Sequence, residues 1–242
     1  MVRLHVTGPL GPGQRVETSP AQGHYLANVM RLGPGDAVEV FDGRSGGWRA
    51  EIETAGKRGA ALVCAAPVRA QRDPPDVWLC FAPVKKARTD FIVEKAVELG
   101  ASRIVPVLTR FTNSERVRVD RLQAHAVEAA EQCGGTFVPA VAEPVRLDRL
   151  LDAWDDRALV FADETLSADP DWAGSGREAA ALPPAPAAIL IGPEGGFSPE
   201  ERNRLRAMKQ AWPIALGPRI LRADTAAVAA LALWQAAQGD WG

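Results

Sequence analysis

Two glycine-containing stretches near the C-terminus carry the residues best suited to chemistry. In the first, the apolar run Ala187–Ile191 leads straight into Gly192-Pro193-Glu194-Gly195-Gly196-Phe197, and Ser198 follows. Glycine at 192, 195 and 196 lets the backbone turn sharply and bring N–H and C=O groups against a small molecule. In the second, Ala215-Leu216-Gly217-Pro218-Arg219-Ile220-Leu221-Arg222-Ala223-Asp224-Thr225 again passes from a short strand through glycine into an alanine-rich helix. Two such loops side by side would form one pocket. A tight strand-to-helix turn explains the first spacing as well, and helix propensity alone explains the alanines. Neither spacing matches G-x-G-x-x-G or G-x-x-x-x-G-K-[ST], so a dinucleotide or nucleoside-triphosphate site has no positive support. Asp224 or Thr225 is placed to cap the helix that follows.

The elements that must position these loops read as an alternation of strand and helix. The segments are Val77–Ala82, Thr89–Leu99, Arg103–Leu108, Val119–Cys133, Ala158–Ala162, Ala187–Ile191, Ser198–Met208, Ile214–Leu216 and Thr225–Ala237. That rhythm predicts an α/β domain, a mostly parallel sheet with helices on both faces. Ser198-Pro199-Glu200-Glu201 has an N-cap serine, a first-turn proline and a glutamate three residues after the cap, which is a capping box. Gly100 is suited to stop the helix that ends at Leu99. Upstream, short β segments at Arg3–Thr7, Ala37–Phe41, Trp48–Thr54 and Ala60–Ala65 predict a small barrel, with one helix from about Ala21 to Arg31. Gly46-Gly47 supplies a hairpin turn. Arg69 to Asp76, with two prolines and several charges, has linker chemistry. The expected domains are therefore residues 1–72 and 73–242. Pro170 to Pro186, rich in Pro, Ala and Gly, reads as a loop before a buried strand.

Composition sets the outer bounds. With 47% hydrophobic and 24% charged residues, the 242-residue chain is an ordinary globular sequence. It has no run of about 20 apolar residues that would span a bilayer and no signal-peptide core, so a cytoplasmic location without membrane partners is expected. Three cysteines without C-x-x-C spacing and three scattered histidines predict no metal site. The net charge is −2, but residues 151–180 hold eight acids against two bases, which leaves the rest of the chain net positive. Basic clusters stand at Lys85 to Arg88, Arg110 to Arg121 and Arg202 to Lys209. Solvated surface explains any one of them taken alone.

Gly192 to Ser198 together with Leu216 to Ala226 closely resemble the 16S rRNA uracil-N3 methyltransferases, the RsmE family. Further matches are Lys85, Arg88, Lys95, Glu98, Leu99 and Gly100, the run Glu128 to Gly134, His24 to Arg31, Gly35-Asp36 and Phe41-Asp42-Gly43. The resemblance covers nearly the whole chain. It implies a SPOUT-type knotted α/β domain, preceded by a PUA-like RNA-binding β-barrel. It also implies S-adenosyl-L-methionine as cofactor, a homodimer, and 16S rRNA within the small ribosomal subunit as partner, with uridine N3 the methyl acceptor. The cofactor positions carried over are Gly192, Pro193, Glu194, Gly195, Gly196, Leu216, Gly217, Ile220, Leu221, Arg222 and Thr225. Arg88 and Arg222 are candidates to hold uracil or phosphate and to stabilise the anion left when N3 loses its proton. A structural ion pair is the alternative role for each. Glu194 is a candidate to orient the substrate or take the proton, or simply to cap N–H groups of its turn.

The chain departs from the family pattern at Gly135, where many relatives carry arginine, at Arg110-Phe111-Thr112, where Glu-Arg-Ser is common, and at Asp224 for glutamate. If that arginine contacts RNA, Arg110, Arg116 or Arg118 must substitute. RNA affinity is expected from the basic clusters. Trp48 and Phe41 are candidates to stack on bases, core packing being the stronger expectation for Phe41. His125, on a helix with Arg121 and Glu128, is expected at the surface or an interface. The rivals are a knotted methyltransferase acting on ribose 2′-OH or another base, and a non-catalytic RNA-binding protein.

Overall fold

The computed structural model describes residues 1–56, 58–113, 116–168 and 182–241. The chain divides into two compact units. One comprises Met1–Asp73 with Ala130–Val138, the other Pro74–Ala129 with Pro139–Gly242. No helix among the described residues is long and apolar enough to cross a membrane.

The first unit is a five-stranded mixed sheet. Its strands are β1 (Arg3–His5), β2 (Arg15–Glu17), β3 (Ala37–Phe41), β4 (Gly47–Gly56) and β5 (Gly59–Arg69), in the order β1-β3-β4-β5-β2. β1 pairs with β3 in parallel, and the remaining pairs are antiparallel. Along β4, Ala50 and Ile52 are buried while Arg49, Glu51 and Glu53 face water, the alternation a half-buried strand requires. Leu4, Val38, Val40, Leu62 and Leu26 complete that core. The expected helix is two pieces, α1 (Pro20–His24) and a π-helical turn over Tyr25–Val29. Ser19 and Gln22 form a capping box at its start, and Gly23 is obligatory because a Cβ there would lie 2.4 Å from the Gly59 carbonyl carbon. The linker begins later than expected, since β5 runs on through Arg69.

The second unit is built on β6 (Val77–Phe81), α2 (Lys86–Glu98), β7 (Arg103–Leu108), α3 (Val119–Cys133), β8 (Ala140–Val141), β9 (Val145–Arg146), α4 (Leu147–Asp152), β10 (Ala158–Ala162), β11 (Ala187–Ile191), α5 (Pro199–Ala207), β12 (Ala211–Ile214) and α6 (Ala223–Gln238). The strands run in the order β12-β10-β11-β6-β7-β8, every pair parallel, with β9 also paired to β7. All five residues of β11 are buried, as expected of a central strand covered on both faces. Ala188 and Leu190 join Cys80, Phe161, Leu151 and Leu205 in one cluster under α4 and α5, while α6 packs on β11 and α2.

Several boundaries differ from expectation. The last strand is Ala211–Ile214 rather than Ile214–Leu216. Neither Asp224 nor Thr225 caps α6, which starts at Ala223 behind Arg222 with no side-chain cap, while Asp224 Oδ1 accepts from the Thr225 N–H at 2.9 Å. Of the expected loop Pro170 to Pro186, residues 170–181 lie outside the described residues. Its end, Leu182 to Pro186, is held where Trp234 Nε1 donates to the Pro183 carbonyl at 2.9 Å.

Candidate active site

Three connections leave the carboxyl ends of β10, β11 and β12, which are adjacent in the sheet, and together border an open cleft of about 570 Å³, the solvent at its mouth included. Ligands of open parallel sheets bind at this end, where loops from neighbouring strands diverge. Ile191, Pro193, Ile214, Leu216 and Leu221 give the cleft an apolar lining, and Ala223 and Ala226 keep the start of α6 thin where it borders the space. Polar groups enter from Asp163, Glu164, Ser167, Glu194 and Arg219. Gly196 has φ +68° and bonds its N–H to the Pro193 carbonyl at 2.9 Å. A Cβ on it would fall 2.2 Å from Glu164 Oε1. Glycine is therefore needed twice over, for the left-handed turn and for the approach of the neighbouring loop.

The wall formed by the β10 connection is fixed by charge. Asp163 is fully buried and accepts hydrogen bonds from Arg206 at 2.9 and 2.5 Å and from Thr165 Oγ1 at 2.7 Å, with Arg202 Nε 3.3 Å away. Glu164 accepts from Arg202 at 2.7 Å. Arg202 and Arg206 are four apart on α5, so one helix face clamps the β10 connection. The capping box of Ser198 and Glu201 secures that helix where the β11 connection enters it, and Glu201 also accepts from the Arg110 N–H at 2.7 Å.

The sequence comparisons agree with this geometry. Residues 71–235 match the family described as an RNA methyltransferase domain, and residues 18–63 match an RNA methyltransferase PUA domain. A ribosomal RNA small subunit methyltransferase E from a Synechocystis species is 34% identical over 226 residues, 90% of this chain and 71% of that protein. The chain belongs to the RsmE family of RNA methyltransferases. Among solved structures, the RsmE protein of Neisseria gonorrhoeae bound to S-adenosyl methionine superposes with a TM-score of 0.86 at 26% identity, each chain covered in full. A Legionella pneumophila protein solved with the cofactor SAM gives a TM-score of 0.88 at 30% identity, covering 99% of this chain and 98% of that one. The expected class, a PUA-like β domain followed by a SPOUT-type parallel α/β sheet, is thus the one present, with the expected small barrel formed as a five-stranded mixed sheet whose end strands β1 and β2 do not pair.

Of the RsmE positions named from sequence, Gly192, Pro193, Glu194, Gly196, Leu216, Ile220 and Leu221 line the cleft together. Gly195 and Gly217 belong to the same loops without lining it, and a Cβ on Gly195 would meet the Phe111 Cβ at 3.2 Å. Arg222 and Thr225 are exposed at the start of α6 and do not line it either. Arg88, in the first turn of α2, lies with its Nε 3.7 Å from Asp224 Oδ2, the ion-pair geometry that was its structural alternative. Glu194 is exposed at the mouth and has no hydrogen-bond partner among the described residues, so it caps nothing there.

Asp163, Glu164 and Ser167 were missed. The acids sit directly behind the apolar strand Ala158–Ala162, a position that could have separated them from the acidic stretch around them. The basic cluster Arg202 to Lys209 needs correction as an RNA contact. Arg202 and Arg206 are bound to Asp163 and Glu164 inside the fold, and Arg204 pairs with the exposed Asp152 at 2.6 Å, so three of the four cations are already partnered. Phe41 is wholly buried with the Arg3 guanidinium 4.7 Å above its ring, which rules out base stacking, while Trp48 is half-buried with its N–H on the Ser45 carbonyl. His125 is half-buried, 3.3 Å from Glu94 and 3.6 Å from Asp90.

Proposed function

We propose that this protein transfers a methyl group from S-adenosyl-L-methionine to N3 of a uridine in 16S rRNA, as a cytoplasmic homodimer. The observation that carries the reading is the cleft shared by the β10, β11 and β12 connections, with its glycine cradle and apolar lining. The residues present fit the cofactor. A Cβ at Gly196 would close the space between two loops, and the small Ala223 and Ala226 leave room beside α6. Backbone groups of Gly192, Pro193 and Gly196, with the side chains of Leu216, Ile220 and Leu221, would hold it. The cofactor supplies a methyl group activated on a sulfonium.

The chain's own residues must then present an N3 nitrogen without its proton. A uridine edge is hidden while paired, so the target enters the cleft as an unpaired or flipped base. Arg88, oriented by Asp224, and Arg222 at the start of α6 place positive charge beside the cleft, which favours the anionic base. Glu194, unpartnered at the mouth, is the candidate proton acceptor. Positioning supplies most of the rate in such a site.

The dimer reading is supported by α6. Its outward residues Val228, Ala229, Ala232, Leu233 and Ala236 form an apolar stripe that no other element among the described residues covers fully, and Ile220 beside the cleft is 77% exposed. A second copy of the chain is the occupant argued for, because Ile220, three residues before α6, is itself exposed and lines the cleft that would need closing. Leu233→Glu should yield monomers in sedimentation, whereas an unchanged sedimentation profile would remove α6 from the interface.

The deciding experiment incubates the protein with labelled S-adenosyl-L-methionine and unmodified small ribosomal subunits, followed by nucleoside mass spectrometry. A single 3-methyluridine is the expected product. A methylated ribose or another base would overturn the acceptor, and no transfer would overturn the activity.

A further inference from the structure

The carboxyl edge of the second unit's sheet holds another cleft, which methyl transfer leaves unused. It opens past the ends of β6 and β7, next to β11 in the sheet, with about 1010 Å³ of empty space. Two basic stretches far apart in the chain meet there. Lys85 and Lys86 come from the turn into α2, and Arg116, Arg118 and Arg121 from the approach to α3 and its first turns. Asp90 is the single acid among the described lining residues, and Arg121 is already bound to it. Arg118 pairs with Asp120, but both side chains are more than half exposed, and such pairs yield readily to a polyanion. Lys85, Lys86 and Arg116 have no ion pair among the described residues. No side chain caps α2, so the positive end of the helix adds to the same field.

This is the reverse of Arg202 and Arg206, whose charges are spent on the carboxylates of Asp163 and Glu164 inside the fold. In a chain of net charge −2, four cations beside the Arg121–Asp90 pair among the described lining residues make a local anion trap. None of the described lining residues is aromatic, so the cleft suits phosphates rather than stacked bases.

We infer that this cleft grips the phosphodiester backbone of the RNA strand beside the target nucleotide, while the target base enters the β10–β11–β12 cleft. The inference rests on the RNA methyltransferase reading and adds to it where the strand is held. The two clefts are neighbours along one sheet edge. The Ala82 N–H bonds to the Ile191 carbonyl at 2.8 Å, so the chain heading for Lys85 departs beside Gly192. Arg88 stands between them, on α2 behind Lys86 and paired to Asp224, which follows the cleft residue Ala223.

The test measures binding of a fluorescein-labelled oligouridylate by anisotropy across a salt series. It compares the natural protein with Lys85→Ala/Lys86→Ala/Arg116→Ala and with a control of equal charge loss, Arg146→Ala/Arg149→Ala/Lys209→Ala. All six residues are largely solvent-accessible, so folding is preserved, and calorimetry with S-adenosyl-L-methionine verifies that the cofactor cleft is intact. The cleft variant should bind roughly tenfold or more weakly near physiological salt, with a log–log salt slope smaller by about 2, given about 0.7 for each phosphate of a single strand that a cation neutralises. The control should change less than about twofold. Equal weakening in both variants, unchanged affinity in the cleft variant, or no RNA binding by the natural protein would each overturn the inference. Failure of the cofactor reading would show separately, as absent calorimetric binding in all three proteins.

Discussion

The two edges of the parallel sheet are made from the same strands and treated in opposite ways. At the amino edge, Arg157 is buried, stacks 4.0 Å over Trp78, and donates to both carboxylate oxygens of Asp76 at 2.9 Å. Its Nη1 also donates to the Asp76 and Ala187 carbonyls at 3.2 and 3.3 Å, and Arg103 lies on Trp78 at 4.7 Å. Trp154 meets Trp78 edge-on and donates its N–H to the Arg157 carbonyl. Polar ends of β6, β10 and β11 are thereby closed by side chains. At the carboxyl edge the connections diverge around two clefts, α2 and α6 start without side-chain caps, and Ile220 stands in solvent. One edge spends its polar groups on holding strands together, and the other keeps them available for a ligand.

The sharpest way to break that contrast is at Asp163, the point where the open edge is itself braced. Asp163→Ala leaves Arg202 and Arg206 without their buried acceptor. Removing one partner of a buried pair costs about 3–5 kcal/mol, and the partial exposure of Arg206 places this case at the lower end. Urea unfolding should show that loss, and calorimetry should show cofactor affinity reduced at least about tenfold as the β10 wall shifts. Wild-type cofactor affinity in a destabilised variant would mean that the β10 connection is only scaffold. Gly196→Ala should cost less stability, on the order of 1–2 kcal/mol for a left-handed alanine, yet weaken cofactor binding by at least about tenfold as well.

Arg157→Met provides the opposite signature. It removes hydrogen bonds to a carboxylate and leaves Asp76 without its cation, so about 2–3 kcal/mol of stability should be lost in urea titrations. Cofactor affinity and the rate of methyl transfer per folded molecule should stay within about twofold, since the cleft lies at the opposite ends of these strands. A matching fall in cofactor affinity would dissolve the division between edges.

What the sequence disclosed follows the same division. The capping box at Ser198, the stop at Gly100 and the five apolar residues of β11 are local signals, and each is found where it is expected. The loop glycines pointed to the cleft for the same reason, because a left-handed turn restricts the residue type on its own. Tertiary pairings left no such trace. Arg202 and Arg206 looked like surface cations because their acceptors precede them by some forty residues. Strands β8 and β9 have two residues each, too short for any periodicity. Nor did composition mark Ala130–Val138 as part of the first unit. Arg3 provides the reason, with Nη1 on the Ala130 and Glu131 carbonyls and Nη2 on that of Gly135 at 2.7 Å, its charge balanced by buried Glu39.

The smallest expected effect is a pH dependence confined to the closed edge. The hydrogen bond from Arg157 holds the Asp76 carboxyl below the ordinary aspartate value of 3.8. A carboxylate whose value is lower in the folded state than in the unfolded state stabilises the fold above the unfolded value, and that contribution disappears as pH falls through the folded value. The relevant window therefore lies below about pH 4. Asp76 is half exposed, so solvent screening limits its share to about 1 kcal/mol or less. Urea midpoints of the natural protein and Asp76→Asn should differ at pH 6 and draw together as pH falls below about 4. Other carboxylates titrate in both proteins, so the gap between the two curves isolates Asp76. A gap that stays constant through that window would show that Arg157 holds the edge by its stacking on Trp78 rather than by its ion pair, and cofactor affinity at pH 6 should be the same in both proteins.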